Sequence, residues 1–172
     1  MDYSKYYDLE KYLFEKVSEK FHKNKKLNAF DFFCILIWKA NRSKTKQAER
    51  LLKISHKNGG LEDSNFDKIC EHITEKIYNT PNKLEYLLKE WKFRLPTASA
   101  ILTVLYPDEF TIYDSRVCQT LTEFKKLAEK SNITQLVNGY FAFIEKVKLT
   151  VPKKQLLEKR ISTFGANHFV MI

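Results

Sequence analysis

Apolar residues recur at every third or fourth position along most of this chain, and that spacing constrains its fold more than any other feature. The first such run consists of Tyr6, Leu9, Leu13, Val17 and Phe21. Because this is the spacing of one face of an α-helix, the run predicts a helix that stops near Asn24. Only 4 glycines and 4 prolines occur among 172 residues, too few for the many tight turns of a β-sandwich. The sequence therefore predicts an all-α protein.

Later segments extend the same pattern. Ala29 to Ala40 is apolar on nearly all sides, which predicts a buried helix. Ala98 to Tyr106 predicts a second, shorter buried helix. We expect a compact multi-helix orthogonal bundle that forms a single domain over residues 1–172. An arrangement of two lobes flanking a cleft, about 30–92 and the remainder, is the alternative.

Composition and motifs argue against several classes of protein. No apolar run approaches the ~20 residues of a membrane span, and the first residues lack the apolar stretch of a signal peptide. Cys34, Cys70 and Cys118 lie far apart and form no CxxC pair, and the four histidines show no HExxH spacing. We therefore expect no metal, no cofactor and no membrane partner, in a reducing cytoplasm.

Positive charge is concentrated in one stretch of the chain. The net charge is +9, and seven basic residues against one acidic residue between Trp38 and Lys57 account for six of these charges. A spacing of four, three and four residues separates Lys46, Arg50, Lys53 and Lys57. On a helix these side chains share one face, and such a stripe suits a phosphate backbone. A solvated surface helix in a lysine-rich protein is the alternative.

A segment in the second half of the chain resembles a known family. Leu95-Pro96-Thr97-Ala98 leads through an apolar helix and a turn into Ile112-Tyr113-Asp114-Ser115-Arg116-Val117. This order resembles the core of the helix-hairpin-helix DNA glycosylase superfamily, where a Leu-Pro-Gly-x-Gly hairpin precedes a helix and an apolar stretch with a catalytic aspartate. The resemblance covers residues 95–117 and implies the family fold, DNA as partner and Asp114 as candidate catalytic carboxylate.

Two features of the family motif are missing. Pro96-Thr97-Ala98 contains no Gly-x-Gly, so the backbone approaches a DNA phosphate less closely. The lysine of bifunctional members would fall near Pro96 or Thr97, and neither residue provides an amine, so we expect no lyase chemistry through that position. The resemblance thus implies a monofunctional glycosylase. In it, Asp114 stabilises an oxocarbenium-like sugar or orients water after a base is flipped out.

The same segment adds candidate nucleic-acid contacts to those of the basic stripe. They are Arg94, Thr97, Ser99 and Arg116. The two arginines suit phosphate, although Arg116 is equally suited to an ion pair with an acid. The two hydroxyl residues lie at a helix N-terminus, whose N–H groups attract anions. Trp38 and Tyr113 are candidates for stacking on a flipped base, although aromatic residues more often fill a core.

Other interpretations of these residues stay open. An aspartate before Ser-Arg-Val is a good helix N-cap and predicts a helix from Asp114 to about Lys130, so Asp114 also suits a purely structural role. The fold also suits a catalytically inactive module that binds DNA or RNA, or a protein-interaction domain with a basic surface. These alternatives differ in one geometric respect, which is whether Asp114 and the basic stripe lie side by side.

Overall fold

The computed structural model describes residues 4–40, 43–57, 65–114 and 117–150. Within these ranges every regular element is helical and no β-strand occurs, which confirms the predicted all-α class. The helices are α1 (Ser4–Lys11), α2 (Ser18–Asn24), α3 (Ala29–Ala40), α4 (Lys44–Lys57), α5 (Phe66–Asn79), α6 (Lys83–Lys89), α7 (Leu95–Leu105), α8 (Val117–Thr120) and α9 (Ile133–Thr150). None of these helices has the length and apolar composition needed to cross a membrane.

The first two helices form one continuous rod through a π-helical stretch, Tyr12–Val17. Leu13, Val17 and Phe21 are fully buried along its inner side, as their spacing predicts. The rod ends after Asn24, where Lys25 adopts a left-handed conformation with φ of 61°. The π-helical stretch was not predicted, because apolar spacing indicates which face is buried and not the register of the backbone hydrogen bonds.

Asparagines begin three of the longer helices. The side-chain oxygens of Asn28, Asn65 and Asn132 accept backbone N–H groups of the first turns of α3, α5 and α9, at 2.9, 3.1 and 3.0 Å. Such a bond satisfies one of the N–H groups that a helix start leaves without a partner in the helix. These asparagines therefore set where the packed helices start.

Helix α3 lies against α5 and α7 and buries Phe32, Ile35 and Leu36 completely. Its bounds, Ala29–Ala40, match the apolar segment of the sequence. The expectation that it is buried on nearly all sides is wrong for one stripe, because Phe30 is 69% exposed and Ile37 is also exposed. A residue type alone does not reveal which side of an all-apolar helix lacks a neighbour.

Helix α7 occupies the middle of the molecule. Ten of its eleven residues are buried, the exception being the half-buried Pro96. Helices α2, α3, α6 and the π-helical stretch all pack against it. Small residues at Ala98, Ser99 and Ala100 allow these neighbours to come close to its first turns. The helix begins three residues before the predicted start at Ala98, because Pro96 is well tolerated in a first turn.

An irregular segment after α7, residues 110–114, is held in place by hydrogen bonds from two helices. The hydroxyl of Tyr140 on α9 donates to the carbonyl of Thr111 at 2.5 Å and accepts the N–H of Thr111 at 3.3 Å. The Ser99 hydroxyl on α7 accepts the N–H of Tyr113 at 3.0 Å. All of these groups are buried, so the segment has one well-defined path into Asp114.

The expected helix from Asp114 to about Lys130 is wrong. Within the described residues α8 comprises Val117–Thr120, and two 3₁₀ turns, Thr122–Phe124 and Leu127–Glu129, follow it. The Tyr113 hydroxyl donates to the carbonyl of Phe124 at 2.6 Å, a bond that an uninterrupted helix would form with a backbone N–H instead. Side-chain hydrogen bonding and burial of Leu121 and Leu127 therefore replace regular helix here.

A carboxyl group is buried in the N-terminal rod. Glu10 is buried, and its Oε1 atom has no hydrogen-bond partner among the described residues. Desolvation of the charged form raises the pKa of Glu10 from 4.5 to about 7. The protonated carboxyl is therefore favoured by folding, and stability falls as the pH rises from 4.5 toward 7.

The Tyr140→Phe substitution tests the anchoring of the segment. It leaves the buried N–H and carbonyl of Thr111 without this partner, so we expect a loss of about 1–3 kcal/mol in the free energy of unfolding. Urea denaturation measures it. Tyr78→Phe is the matched control, because its hydroxyl bonds to no described residue. Equal effects of the two changes would show that the hydroxyl of Tyr140 does not hold the segment.

The Glu10→Gln substitution tests the buried carboxyl. As the pH rises from 4.5 to 7.5, we expect the natural chain to lose about 1–2 kcal/mol in the free energy of unfolding relative to the variant. The reason is that only the natural chain must ionise a buried group. Urea titrations across this pH range measure the difference. Glu15→Gln, at an exposed position one turn on, is the control and leaves the profile unchanged. A constant offset between Glu10→Gln and the natural chain would contradict the assignment.

Candidate nucleic-acid interface

Asp114 forms an ion pair with Lys39, in the last turn of α3. The Lys39 Nζ lies 2.5 Å from the Asp114 Oδ2, and the two side chains are 15% and 22% exposed. Lys39 is the first basic residue of the stretch from Trp38 to Lys57. The candidate carboxylate therefore contacts the start of the basic stretch, 75 residues away in sequence.

The segment before Asp114 places it beside the N-terminal half of α7. Its neighbour Tyr113 donates its N–H to Ser99, on the second turn of that helix. The carbonyl of Asp114 accepts the N–H of Cys118 at 3.1 Å, so the same residue also begins the turn that leads into α8. Both the catalytic and the capping interpretation of Asp114 are compatible with this position.

A second contact links α4 to the residues that precede α7. The guanidinium carbon of Arg50 lies 4.7 Å from the centroid of the Phe93 ring, a cation–π arrangement. Arg50 also donates to Gln47, while its buried Nε has no partner among the described residues. Burial lowers the pKa of Arg50, although an arginine stays charged. The residue that follows Phe93, Arg94, is exposed.

Four further cations border this contact or lie on the same helix face. Lys46 and Lys53 share the face of α4 with Arg50 and are exposed. Lys92 and Arg94 flank Phe93 and are also exposed, and Lys92 has a left-handed backbone with φ of 52°. We call the set Lys46, Arg50, Lys53, Lys92 and Arg94 the basic surface. Lys92 was missed in the sequence, since it belongs to no helical stripe.

Two of the predicted contacts fall outside the described part of the structure. The backbone of Lys57 belongs to α4, but its side chain is not described, and Arg116 lies between the described ranges. Their predicted roles stay predictions.

Thr97 and Ser99 do not belong to the basic surface, because both are buried. The N–H groups of Thr97 and Ala98 donate to the carbonyl of Arg94 at 3.0 and 2.9 Å, and Pro96 has no N–H. The Ser99 hydroxyl donates to the carbonyl of Pro96 and accepts from Tyr113. The start of α7 therefore offers a phosphate fewer free donors than the sequence suggested.

The two candidate stacking residues are also placed differently from each other. Tyr113 is 2% exposed, its ring lies 5.3 Å from that of Phe143, and its hydroxyl is bonded to Phe124. Its ring has no free face in this conformation. Trp38 is half-buried and contacts Phe14 edge-on at 5.7 Å, so part of its ring still reaches the surface beside Lys39.

A polar hollow of about 480 Å³ lies at the other end of α3. Its charged lining is paired internally: Lys20 with Asp31 at 3.0 Å and Lys26 with Glu71 at 2.8 Å. Asp31 is eight residues from Lys39, or about 12 Å along the helix. The hollow therefore has no excess positive charge and is separate from the basic surface.

Comparison with protein-family models, with curated proteins and with solved structures finds no match to this chain. Among the described residues no group of three or more His, Cys, Asp or Glu side chains is arranged to hold a metal ion. Function is therefore inferred from the two contacts made by Lys39 and Arg50.

Proposed function

We propose that this protein binds nucleic acid on the basic surface and acts there as a monofunctional base-excision DNA glycosylase with Asp114 as the catalytic carboxylate. The observation that supports this most directly is the chain of contacts between them. Arg50 contacts Phe93, and Arg94 directly precedes α7. Ser99 of α7 bonds to Tyr113, and the next residue, Asp114, pairs with Lys39. Lys39 lies five residues before α4, the helix that carries Lys46, Arg50 and Lys53.

Binding follows from the chemistry of the basic surface. Lysine and arginine side chains neutralise phosphates and release their counterions, which favours association at low salt. An arginine stacked on an aromatic ring is held in one direction, so Arg50 gives this surface a fixed point between flexible lysines. DNA is the proposed partner because of the resemblance of residues 95–117 to the helix-hairpin-helix glycosylases, and the proposed fold is theirs.

Catalysis would depend on the charge of Asp114. When a base leaves the sugar, positive charge develops on the ring, and an ionised carboxylate close to it stabilises that charge. The same carboxylate can accept a proton from the water that adds to the sugar carbon, while the departing base takes a proton from solvent. Asp114 then returns its proton to solvent, so the net reaction divides one water between the sugar and the base. The ammonium group of Lys39 lies in direct contact with this carboxylate.

A binding module without catalysis is the second candidate, and the placement of Tyr113 and Ser99 favours it. A glycosylase needs side chains that hold a flipped base. Here the Tyr113 ring is enclosed by the core and the Ser99 hydroxyl is committed to internal bonds. Trp38 is the remaining stacking candidate among the residues predicted for this task.

The Lys46→Gln/Lys53→Gln variant tests binding. We expect weaker association with a 20-base-pair duplex, and a slope of log affinity against log salt that is shallower by about 1.8, because about 0.9 is lost per phosphate contact. Fluorescence anisotropy at several salt concentrations measures both quantities.

Lys125→Gln/Lys130→Gln is the matched control, since it removes the same charge from exposed lysines on elements that do not pack against α4. We expect affinity within about twofold of the natural chain. If this control weakened binding as much as the α4 variant, net charge and not the basic surface would account for association.

The Asp114→Asn substitution tests catalysis. On duplexes that contain uracil, an oxidised base or an alkylated base, we expect the natural chain to release one of these bases and the variant to be slower by about 100-fold. Chromatography of the released base measures the rate. Asp108→Asn, at an exposed aspartate in the turn after α7, is the control and keeps the natural rate.

Equal base release by the natural chain and Asp114→Asn would contradict the catalytic role of Asp114. Salt-dependent binding with no release from any of the three duplexes would contradict the glycosylase proposal and favour the non-catalytic module.

A further inference from the structure

The Lys39–Asp114 pair lies five residues before α4 begins, and α4 carries Lys46 and Arg50. Under the proposed function, a nucleic acid that binds along the start of α4 therefore brings phosphates toward Asp114. A carboxylate repels phosphates, and a partly buried one does so more strongly because water screens it less. Left alone, Asp114 would oppose the binding that its proposed role requires.

Lys39 is placed differently from the lysines of the basic surface. Its side chain is 15% exposed, whereas Lys46 and Lys53 extend into solvent. Its ammonium group is in direct contact with the Asp114 carboxylate, so the pair has no net charge when it is approached from a distance, while each group keeps its own charge for a neighbour in contact with it. A lysine in this position is committed to the carboxylate and not to a phosphate.

We propose that Lys39 is the positioning residue that neutralises Asp114, so that a phosphate backbone can reach the candidate catalytic carboxylate without repulsion. This inference rests on the proposed nucleic-acid binding and adds the way in which the site admits its ligand. An interaction that only joins α3 to the 110–114 segment would predict no effect on binding beyond any effect on folding.

The test compares four proteins: the natural chain, Lys39→Gln, Asp114→Asn and the double variant. Each is titrated with a 20-base-pair duplex at several salt concentrations. We expect Lys39→Gln to bind about fivefold more weakly, Asp114→Asn to bind about fivefold more tightly, and the double variant to match the natural chain. The slope of log affinity against log salt should be shallower for Lys39→Gln, steeper for Asp114→Asn and unchanged for the double variant.

The result does not depend on one fragile variant. Lys39→Gln removes the ammonium group from a half-buried carboxylate, and thermal unfolding shows whether this variant is folded. The double variant replaces the ion pair with two amides that can bond to each other. Tighter binding by Asp114→Asn, with the double variant equal to the natural chain, is sufficient support. Lys39→Arg keeps the charge and should keep the natural affinity.

Lys148 and Glu145 on α9 provide a matched control pair, with exposed side chains and a separation of 3.0 Å. The corresponding four proteins should bind alike. Equal binding by all four Lys39/Asp114 proteins would overturn the inference while leaving the proposed binding intact. A double variant as weak as Lys39→Gln would also overturn it, since Lys39 would then bind phosphate directly. If none of the proteins bound the duplex, the proposed function itself would fail, and the inference with it.

Discussion

The burial of α7 determines the arrangement of most other elements. A helix with ten buried residues needs neighbours on every side, and the N-terminal rod, α3 and α6 supply them. The hydroxyl of Ser99 lies among these apolar contacts, where a polar group requires partners, and it finds them in Pro96 and Tyr113. Through Tyr113 the buried helix fixes the path of the 110–114 segment, which Tyr140 holds from the opposite side. Asp114 therefore inherits its position from the packing of the core.

Charge is distributed differently at the two ends of α3. At the N-terminal end, Asp31 is buried between Lys20 and the Tyr12 hydroxyl, and the neighbouring hollow is balanced by paired charges. At the C-terminal end, Lys39 and Asp114 balance each other, but the basic surface next to them keeps its excess. The proposed nucleic-acid binding therefore concerns one end of the helix and not the other. The proposed function depends on this asymmetry more than on the net charge of the chain.

Apolar spacing predicted the fold class, the bounds of α3 and the end of the first helix, because burial of a helix face has a direct signature in sequence. The region after Asp114 was predicted incorrectly, since the hydrogen bond from Tyr113 to Phe124 joins residues that share no local pattern. The same limit applies to the site. Spacing identified Lys46, Arg50 and Lys53 as one face, but not that Arg50 lies on Phe93 or that Lys39 reaches Asp114. Thr97 and Ser99 were predicted to contact nucleic acid because the sequence indicated their position at a helix start but not their burial.

The way in which α7 begins has a consequence for selectivity. Main-chain amides are fixed in space and match a single spacing of ligand oxygens, but here Arg94 and Pro96 leave few of them available. Long cationic side chains are adjustable, and their tips cover several ångströms through rotamer changes alone. These cationic side chains would contact the phosphates of an A-form or a B-form nucleic acid equally well. Any preference between the two forms would therefore have to arise at the sugar, next to the carboxylate, and not along the basic surface.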